Sequence, residues 1–208
     1  MSADISFTAK IRKECQIGMT EQLNEIKKEL SKKLKKDRYE HTIGVMYTAS
    51  SLAMCYGADI QKALTAGLLH DCGKYCSAPD QIKYCEKHGI ELTESELAMP
   101  ALVHAKLGAY LAERKYGIDD QEILDAITWH TTGRPGMTLL EKIIYIADYI
   151  EPNRREIPGL SEIRGIVFRD LDRAVYLSAK RTVRYLESGG KSVDPMTEST
   201  CEYYCPKP

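Results

Sequence analysis

The stretch around which this sequence is organised reads Ala63-Leu64-Thr65-Ala66-Gly67-Leu68-Leu69-His70-Asp71-Cys72-Gly73-Lys74. Its small and apolar first half predicts a helix that brings His70 and Asp71 to the core or its edge. A buried imidazole beside a buried carboxylate is costly unless a cation pairs with the acid, and both groups are ordinary metal ligands. The alternative is a solvated helix end with Gly73 as its C′ residue. The rest of the chain must supply further ligands if the metal hypothesis is right.

The composition is that of an ordinary soluble globular protein. Of 208 residues, 43% are hydrophobic and 28% are charged, and the formal net charge is −1. This balance gives no reason to expect a nucleic-acid partner or an acidic membrane surface. Residues 27–38 include seven Lys or Arg among twelve residues. The same region keeps a helical apolar stripe (Leu23, Ile26, Leu30 and Leu34), so a solvated helix face explains the charge.

Neither membrane insertion nor disulfide bonding is expected. No stretch approaches the roughly 18 consecutive apolar residues that span a bilayer, and the polar N-terminus lacks the apolar region of a secretory signal. The seven cysteines are an odd number scattered through helical patterns, which favours reduced thiols in a cytoplasm. The pairs Cys72/Cys76 and Cys201/Cys205 lack partner pairs with zinc-site spacing, so we interpret them as structural.

Helical periodicity recurs along the chain, and no strand pattern is found. The predicted helices cover approximately Thr20–Lys36, Arg38–Tyr56, Asp59–Asp71, Pro79–His88, a turn from Thr93, Pro100–Tyr116, Asp119–Thr131, Thr138–Ile150 and, as the longest, Leu160–Glu187. After Gly189-Gly190 we expect a tail of turn-forming residues. We therefore predict an all-α fold with one domain over residues 20–200, a poorly ordered leader over 1–19 and a tail over 201–208.

The positions of the histidines indicate a shared site. His41, His70, His104 and His130 lie in helical segments with apolar or small neighbours, whereas His88 lies at a polar helix end. One buried histidine is usually a satisfied core residue, but four of them beside a buried Asp favour a metal site. We interpret His88 as an exposed residue whose charge suits the helix dipole.

Asp148 is the best candidate for a second acidic ligand. The helix predicted over 138–150 is apolar nearly all round and carries this aspartate near its end. An unpaired carboxylate there would cost several kcal/mol, so it needs a cation, a set of donors or a metal. Pairing with Arg154 or Arg155 stays open as the structural alternative.

The ordered set His41, His70-Asp71, His104, His130 and Asp148 resembles the HD-domain phosphohydrolase superfamily. Residues 38–45, 70–74, 129–134 and 146–154 resemble its YqeK-type subfamily, the symmetrical diadenosine tetraphosphate hydrolases. The resemblance covers most of the chain, from Arg38 to Met196. It implies an HD-domain helical bundle with a buried metal site, and hydrolysis of a dinucleoside tetraphosphate to two molecules of ADP.

The resemblance also implies which residues bind metal. A tightly bound divalent transition metal, usually iron in this family, would be held by His41, His70, Asp71 and Asp148. A second position would be lined by His104 and His130, which would either bind a second ion bridged by Asp71 or contact phosphate oxygens. Imidazole and carboxylate ligands accept iron, manganese, zinc or cobalt, so the metal and the number of ions, one or two, stay open.

Cationic residues flank these ligands and suit a polyphosphate substrate. Arg38 lies one helical turn before His41, Lys74 follows the His-Asp pair by three residues, and Arg154 follows Asp148. Taken alone, each would be interpreted as a solvated surface charge. The expected catalytic residues are Asp71, Lys74, His104 and His130. The expected substrate-binding residues in this region are Arg38, Asp71, His104, His130, Thr131, Asp148 and Arg154.

A segment near the end of the chain, Lys191-Ser192-Val193-Asp194-Pro195-Met196, is also expected to bind substrate. The resemblance implies that this loop folds back onto the nucleotide and offers backbone donors and acceptors to an adenine or ribose edge. Val193 stands where the family commonly has a histidine. This departure leaves the base contact, and the preference for adenine over guanine, open.

Two other functions stay open at this point. One is a different HD-domain phosphohydrolase that acts on nucleoside monophosphates, guanosine tetraphosphate or a cyclic dinucleotide. The other is a non-catalytic nucleotide-binding sensor that keeps the metal site. The oligomeric state is open as well, with a homodimer as one alternative.

Overall fold

The computed structural model describes residues 20–207, which form helices joined by short turns. The α-helices are α1 (20–33), α2 (Lys36–Tyr56), α3 (Ile60–Leu69), α4 (Ala78–His88), α5 (Glu94–Ala98), α6 (Val103–Tyr116), α7 (Gln121–Thr128), α8 (Leu139–Ile150), α9 (Leu160–Ile166), α10 (Leu171–Ser188) and α11 (Pro195–Tyr203), with 3-10 turns at Cys72–Tyr75 and Pro100–Leu102. Residues 20–207 contain no strand, which confirms the all-α prediction. None of their helices is long and apolar enough to cross a membrane. The predicted leader over 1–19 lies outside the described residues.

The core forms where α2, α3 and α8 pack together, with α7 against both α3 and α8. Helix α8 is apolar on nearly every side, and Ile143, Ile144 and Ile146 have no exposed surface. Burying one such side chain contributes about 1.5–3 kcal/mol relative to leaving it in water. Because neighbouring helices hold α8 in this way, its last turn is fixed beside α2 and α3.

Side-chain caps set several helix starts. Asp59 accepts the backbone N–H groups of Gln61 and Lys62 at the start of α3. Thr93 and Thr138 each form a capping box with the glutamate three residues on, at the starts of α5 and α8. Each such cap contributes about 1 kcal/mol. The predicted starts at these three residues are confirmed.

The single helix predicted over Leu160–Glu187 is wrong, because the structure forms α9 and α10 with a break at 167–170. Asp170 makes this break with an extended backbone (φ −146°, ψ 93°) and a side chain that accepts an N–H from the first turn of α10. The apolar stripe continues across the break, since Val167 and Leu171 are both buried. Periodicity therefore did not reveal it. Among the described helices, α2 with 21 residues is the longest.

The tail of turn-forming residues predicted after Gly190 is also wrong, because Pro195–Tyr203 forms α11. Asp194 caps this helix by accepting the N–H of Met196 at 2.8 Å. Helix α11 packs against α10, and its buried residues are threonines rather than aliphatic side chains. This is why apolar periodicity did not predict it. The domain boundary expected at residue 200 falls inside this helix.

The alternative in which Gly73 is the C′ glycine of a solvated helix end is wrong. It lies in the 3-10 turn Cys72–Tyr75 and does not have a positive φ. A Cβ at this position would lie 2.4 Å from the carbonyl oxygen of His104. Glycine is required here because the turn after α3 packs directly on the backbone of α6.

Candidate metal centre

Six side chains from separate parts of the chain converge at one point. They are His41 from α2, His70 and Asp71 from the turn after α3, His104 from the first turn of α6, His130 from the turn after α7, and Asp148 from the last turn of α8. All are buried except Asp148, whose side chain is 20% exposed. The site therefore has one side open to solvent, at Asp148.

Asp71 lies at the centre of the group, and its two oxygens face different imidazoles. Oδ1 lies 3.2 Å from Nε2 of His104 and 3.6 Å from Nε2 of His130. Oδ2 lies 3.4 Å from Nε2 of His70 and 3.8 Å from Nε2 of His41. A carboxylate placed in this way can serve two adjacent cation positions at once.

Asp148 completes the group on the His41 side. Its Oδ1 lies 3.0 Å from Nε2 of His41 and 3.9 Å from Nε2 of His70. Ligand atoms of His41, His70 and Asp71 all lie within 4.8 Å of one another, and those of Asp71, His104 and His130 do so as well. Two overlapping sets of ligands therefore share Asp71.

The second nitrogen of each imidazole is committed to an acceptor. Three Nδ1 atoms contact the carbonyl oxygen three residues earlier, in His70 (2.7 Å), His104 (2.7 Å) and His130 (2.6 Å). Nδ1 of His41 contacts Oε1 of Glu151 at 3.0 Å. Carbonyl and carboxylate oxygens only accept hydrogen bonds, so Nδ1 must donate in each ring. In the neutral imidazole, Nε2 is then left with a lone pair that points into the cluster.

These lone pairs meet other acceptors, so the cluster requires a cation. Nε2 of His104 lies 3.1 Å from Nε2 of His130. Among the described residues, the buried Nε2 atoms of His41 and His70 and the buried Oδ1 of Asp71 have no hydrogen bond. A proton satisfies one such contact, whereas a metal ion satisfies several at once. Imidazole nitrogen and carboxylate oxygen suit first-row divalent metals, and hydrogen bonds to Nδ1 orient histidine ligands in such sites. The residues present fit a divalent metal.

Comparison with known proteins places these residues within one domain family. The model of the HD domain family matches residues 38–153, a range that includes all six clustered side chains. The chain belongs to the HD-domain family.

Individual relatives of this HD domain match over most of their length. The symmetrical bis(5'-nucleosyl)-tetraphosphatase of Bacillus subtilis is 46% identical over 170 residues, which cover 81% of this chain and 89% of the relative. The protein of the same description from Staphylococcus aureus is 38% identical, over 88% of this chain and 94% of its own. A solved structure of an HD superfamily hydrolase from Clostridium acetobutylicum, described as involved in NAD metabolism, has a TM-score of 0.83 and 41% identity, and covers 87% of this chain and 95% of that one. The buried cluster is thus a group of His and Asp side chains within an HD domain that could hold a divalent metal ion.

Burial sets the protonation of the histidines in this HD domain. Removal from water lowers the pKa of His70, and it lowers the pKa of His104 to about 4. Both rings are therefore neutral ligands at physiological pH. Burial also disfavours the charged form of His41, but the carboxylates of Asp148 and Glu151 outweigh that effect and raise its pKa. His41 and Asp148 would lose the proton between them if they held a divalent cation, because metal ligands must be deprotonated.

Both aspartates of the HD domain stay ionised. Burial opposes ionisation of Asp71, but the adjacent imidazoles of His70, His104 and His130 outweigh it and hold the pKa of Asp71 well below its usual range. The pKa of Asp148 is also lowered, because the nearby imidazole of His41 outweighs burial. Two carboxylates next to neutral imidazoles carry the negative charge that a divalent cation needs.

The three cations predicted to bind phosphate all reach this cluster. Arg38 donates from a guanidinium nitrogen to Asp71 Oδ2 at 2.7 Å, and Lys74 Nζ lies 3.0 Å from Asp71 Oδ1. A guanidinium nitrogen of Arg154 lies 3.6 Å from Asp148 Oδ1. Each of these side chains is about one third exposed. Each therefore extends from the buried carboxylates to the surface.

Glu151 is part of the site but was interpreted from the sequence only as the end of a helix. It is 1% exposed, and Oε1 accepts from His41 while Oε2 accepts the N–H of Asn153 at 2.7 Å. A Cβ on Gly44 would lie 2.4 Å from Oε2, so the glycine makes room for this carboxylate. Arg164 holds the backbone of Glu151 by donating to its carbonyl oxygen at 2.8 Å. An acid directly after the apolar helix α8 was the available signal.

A groove of about 1110 Å³ opens at the surface beside His41. Five arginines line it: Arg38, Arg154, Arg155, Arg181 and Arg184. The acidic residues of the lining are Asp37, Glu40 and Glu151, and the last of these is committed to His41. The groove thus carries an excess of positive charge next to the metal site.

Of the remaining predicted substrate residues, Lys191 reaches Tyr185 in the lining of this groove, and none lines the groove itself. Thr131 directly follows His130 and is partly buried. In the segment Lys191–Met196, Lys191 Nζ lies 5.6 Å from the centre of the Tyr185 ring, and Asp194 accepts from Ser95 Oγ at 2.5 Å. The described residues that line the groove include none of this segment.

Proposed function

We propose that this protein is a metal-dependent hydrolase that splits diadenosine tetraphosphate, and related dinucleoside polyphosphates, symmetrically into two nucleoside diphosphates. The relatives from Bacillus subtilis and Staphylococcus aureus carry the name of this activity and align over most of both chains. The single observation that carries the proposal is the cluster of unpaired imidazole and carboxylate atoms beside an arginine-lined groove. A site of this kind combines a divalent cation with charges that suit several phosphates.

We propose iron as the metal, held by His41, His70, Asp71 and Asp148. The donor set contains only imidazole and carboxylate groups and no thiolate, which suits iron as well as manganese, zinc or cobalt. When bound, such an ion activates water and neutralises developing charge on phosphate oxygens. His104 and His130 line the adjacent position on Asp71, which either a second ion or phosphate oxygens would occupy.

The cationic residues of this chain would orient and stabilise the polyphosphate. Arg38 and Arg154 present planar guanidinium groups that can bind two phosphate oxygens at once. Lys74 adds a point charge next to Asp71. These groups are positioned before substrate arrives, so their attraction is available where negative charge develops. Asp71 would hold the arrangement together, because both of its oxygens face ligand nitrogens.

The reaction adds one water across the central phosphate bridge. A bond forms between the water oxygen and one of the two central phosphorus atoms, and the bond from that phosphorus to the bridging oxygen breaks. The water protons are distributed between the products and the solvent. Two molecules of ADP result, because the tetraphosphate is cut at its midpoint.

Product identity tests this proposal directly. We expect the protein, purified without added metal and analysed for its elements, to carry a transition metal and to convert diadenosine tetraphosphate to ADP alone, as separated by ion exchange. Release of ATP with AMP would exclude symmetrical cleavage. Failure to release ADP together with dephosphorylation of nucleoside monophosphates would favour a different HD-domain phosphohydrolase. Stoichiometric substrate binding without turnover would favour a sensor. We also propose a cytoplasmic location, since the described cysteines are free thiols.

A further inference from the structure

The groove beside His41 extends well beyond the metal site. It begins at Arg38, His41 and Arg154 and continues along the C-terminal half of α10, where it is lined by Arg181, Arg184, Tyr185 and Ser188. The stretch from residue 181 to 188 corresponds to about 10 Å of helix. This is more length than two phosphates require, so the far end of the groove has room for a nucleoside.

The arginines of the groove differ in whether they are free to bind a ligand. Arg38 contacts Asp71, Arg154 approaches Asp148, and Arg181 pairs with Glu162 at 2.5 Å. Within residues 20–207, Arg155 and Arg184 form no ion pair and no side-chain hydrogen bond. The free positive charge of the groove therefore lies on Arg155 and Arg184, which pair with none of the clustered side chains.

An exposed aromatic ring stands beside these free charges. Tyr185 is 67% exposed and lines the same groove as Arg184, its neighbour in α10. The other exposed tyrosines, Tyr47, Tyr75 and Tyr203, do not line this groove, whereas the Tyr185 ring stands in it beside positive charge. Base stacking on an aromatic ring next to arginine is a common mode of nucleotide binding, and it tolerates any base because every base has a π face.

The groove meets the metal site on one side only. It contacts the cluster through His41, whereas His104 and His130 face the other oxygen of Asp71 and do not line it. A substrate that is symmetrical about its cleaved bond has an equal half on each side of the reacting phosphorus. The groove can then accept one half, and the other half must lie beyond the reacting phosphorus, outside the groove.

We propose that this groove is a binding subsite for one complete nucleoside diphosphate half of the substrate, with Tyr185 stacking on the base and Arg155 and Arg184 binding its phosphate and ribose oxygens. The other half lies outside this groove, beyond the reacting phosphorus. This inference rests on the proposed function and adds to it the residues that bind the nucleoside of one half of the substrate. Tyr185 and Arg184 are positioning residues that favour dinucleotide over mononucleotide substrates.

The experiment compares a ligand with two nucleosides and a ligand with one. The rate constant kcat/KM for diadenosine tetraphosphate is measured for the metal-loaded wild type, Tyr185→Ala, Arg184→Ala and Tyr185→Phe. In the same assay, the inhibition constant of adenosine 5'-tetraphosphate is measured. The matched controls are Arg169→Ala and Tyr47→Ala, exposed residues of the same types that do not line this groove.

We expect Tyr185→Ala to lower kcat/KM for the dinucleotide by about 5- to 100-fold, the range for losing one base stack. Arg184→Ala should lower it by about tenfold, as expected for one charged hydrogen bond. Tyr185→Phe should restore the rate, because the ring is retained. The inhibition constant of the mononucleoside ligand should change by no more than about twofold, since that ligand can place its single base on the intact side. Both controls should match the wild type.

Two results would overturn the subsite. One is a kcat/KM of Tyr185→Ala within about twofold of the wild type, which would mean that no base stacks there. The other is an equal loss for both ligands, which would mean that the groove holds the only nucleoside. If the wild type itself releases no ADP, the proposed function fails and the subsite fails with it, a result that is separate from any difference among variants.

Discussion

The buried metal site and the pair formed by buried Glu141 and partly exposed Arg134 both place carboxylates in the interior, but they are neutralised differently. Glu141 is 1% exposed, accepts the N–H of Thr138 at 2.7 Å and contacts the guanidinium of Arg134 through both oxygens. Arg134 also reaches Asp125 at 3.1 Å and lies over the Trp129 ring. Each charge in this pair has a partner within the chain.

Asp71 is as buried as Glu141 and also has cations within the chain, Arg38 and Lys74, but four imidazole nitrogens surround it as further acceptors. The four imidazoles of the cluster are held with their lone pairs inward, and three buried polar atoms have no hydrogen bond among the described residues. A cluster whose ion pairs and hydrogen bonds leave no buried acceptor unpaired holds the fold together, whereas a cluster with unpaired buried acceptors requires a further cation from outside. Both clusters include residues from stretches that resemble the family in sequence. Only the partners of their carboxylates distinguish a structural role from a catalytic one.

Removal of the shared carboxylate should have the largest effect. We expect Asp71→Ala to lose the metal and to lower turnover of diadenosine tetraphosphate by at least about a thousandfold, equivalent to ~4 kcal/mol in the barrier, because both ligand sets include this residue. Elemental analysis and initial rates measure the two losses, and far-UV circular dichroism checks that the helices persist. A metal-free Asp71→Ala protein that still hydrolyses the substrate would contradict the assigned mechanism.

Breaking the structural pair should affect folding instead. We expect Arg134→Ala to lower the free energy of unfolding by about 3–5 kcal/mol, since it leaves the buried Glu141 charge uncompensated. The folded fraction should keep its full metal content. Urea denaturation followed by tryptophan fluorescence measures the loss, and the double variant Arg134→Ala/Glu141→Ala should be less destabilised than the single one. Loss of metal in folded Arg134→Ala would show that this pair also supports metal binding and is not purely structural.

Metal removal should destabilise the protein through the first cluster alone. With free metal at 100 times its dissociation constant, binding contributes about 2.7 kcal/mol to the free energy of unfolding. We expect a chelator to lower the Tm of the wild type and metal to restore it. The Tm of Asp71→Ala should respond to neither. A wild-type Tm that ignores both additions would show that the cluster binds no metal tightly.

The smallest effect should come from Glu151, which acts through His41. Glu151→Gln keeps an oxygen that accepts from Nδ1 of His41 but removes the charge. We expect metal affinity to fall by about 10- to 100-fold, the usual range for a partner of a ligand histidine, with little change in folding. Competition titration with a metal-binding dye measures the affinity. Glu187→Gln, an exposed acid without a side-chain partner among the described residues, is the control and should bind like the wild type.

Local sequence was sufficient where a residue's own neighbours decide its role. The helix of residues 139–150 is apolar on nearly every side, so an aspartate near its end predicted a need for a cation, and Asp148 lies in the cluster. The capped starts at Asp59, Thr93 and Thr138 depend on contacts within four residues and were predicted for the same reason. The break at Asp170 was missed because an apolar stripe continues through it. The polar helix α11 was missed because it has no such stripe.

The sequence by itself determined the all-α class, the helices that carry the ligands and the identity of the six side chains, because apolar periodicity and residue chemistry are local properties. The tertiary structure alone decided that Glu151 accepts a hydrogen bond from His41, that Gly73 packs on the backbone of α6, and that Arg134 pairs with Glu141. It also brought α10 beside the metal site, which placed Tyr185 and Arg184 in one groove with His41. These contacts join residues far apart in the chain or residues from different helix faces. The packing of whole helices, which no local pattern describes, is what sets them.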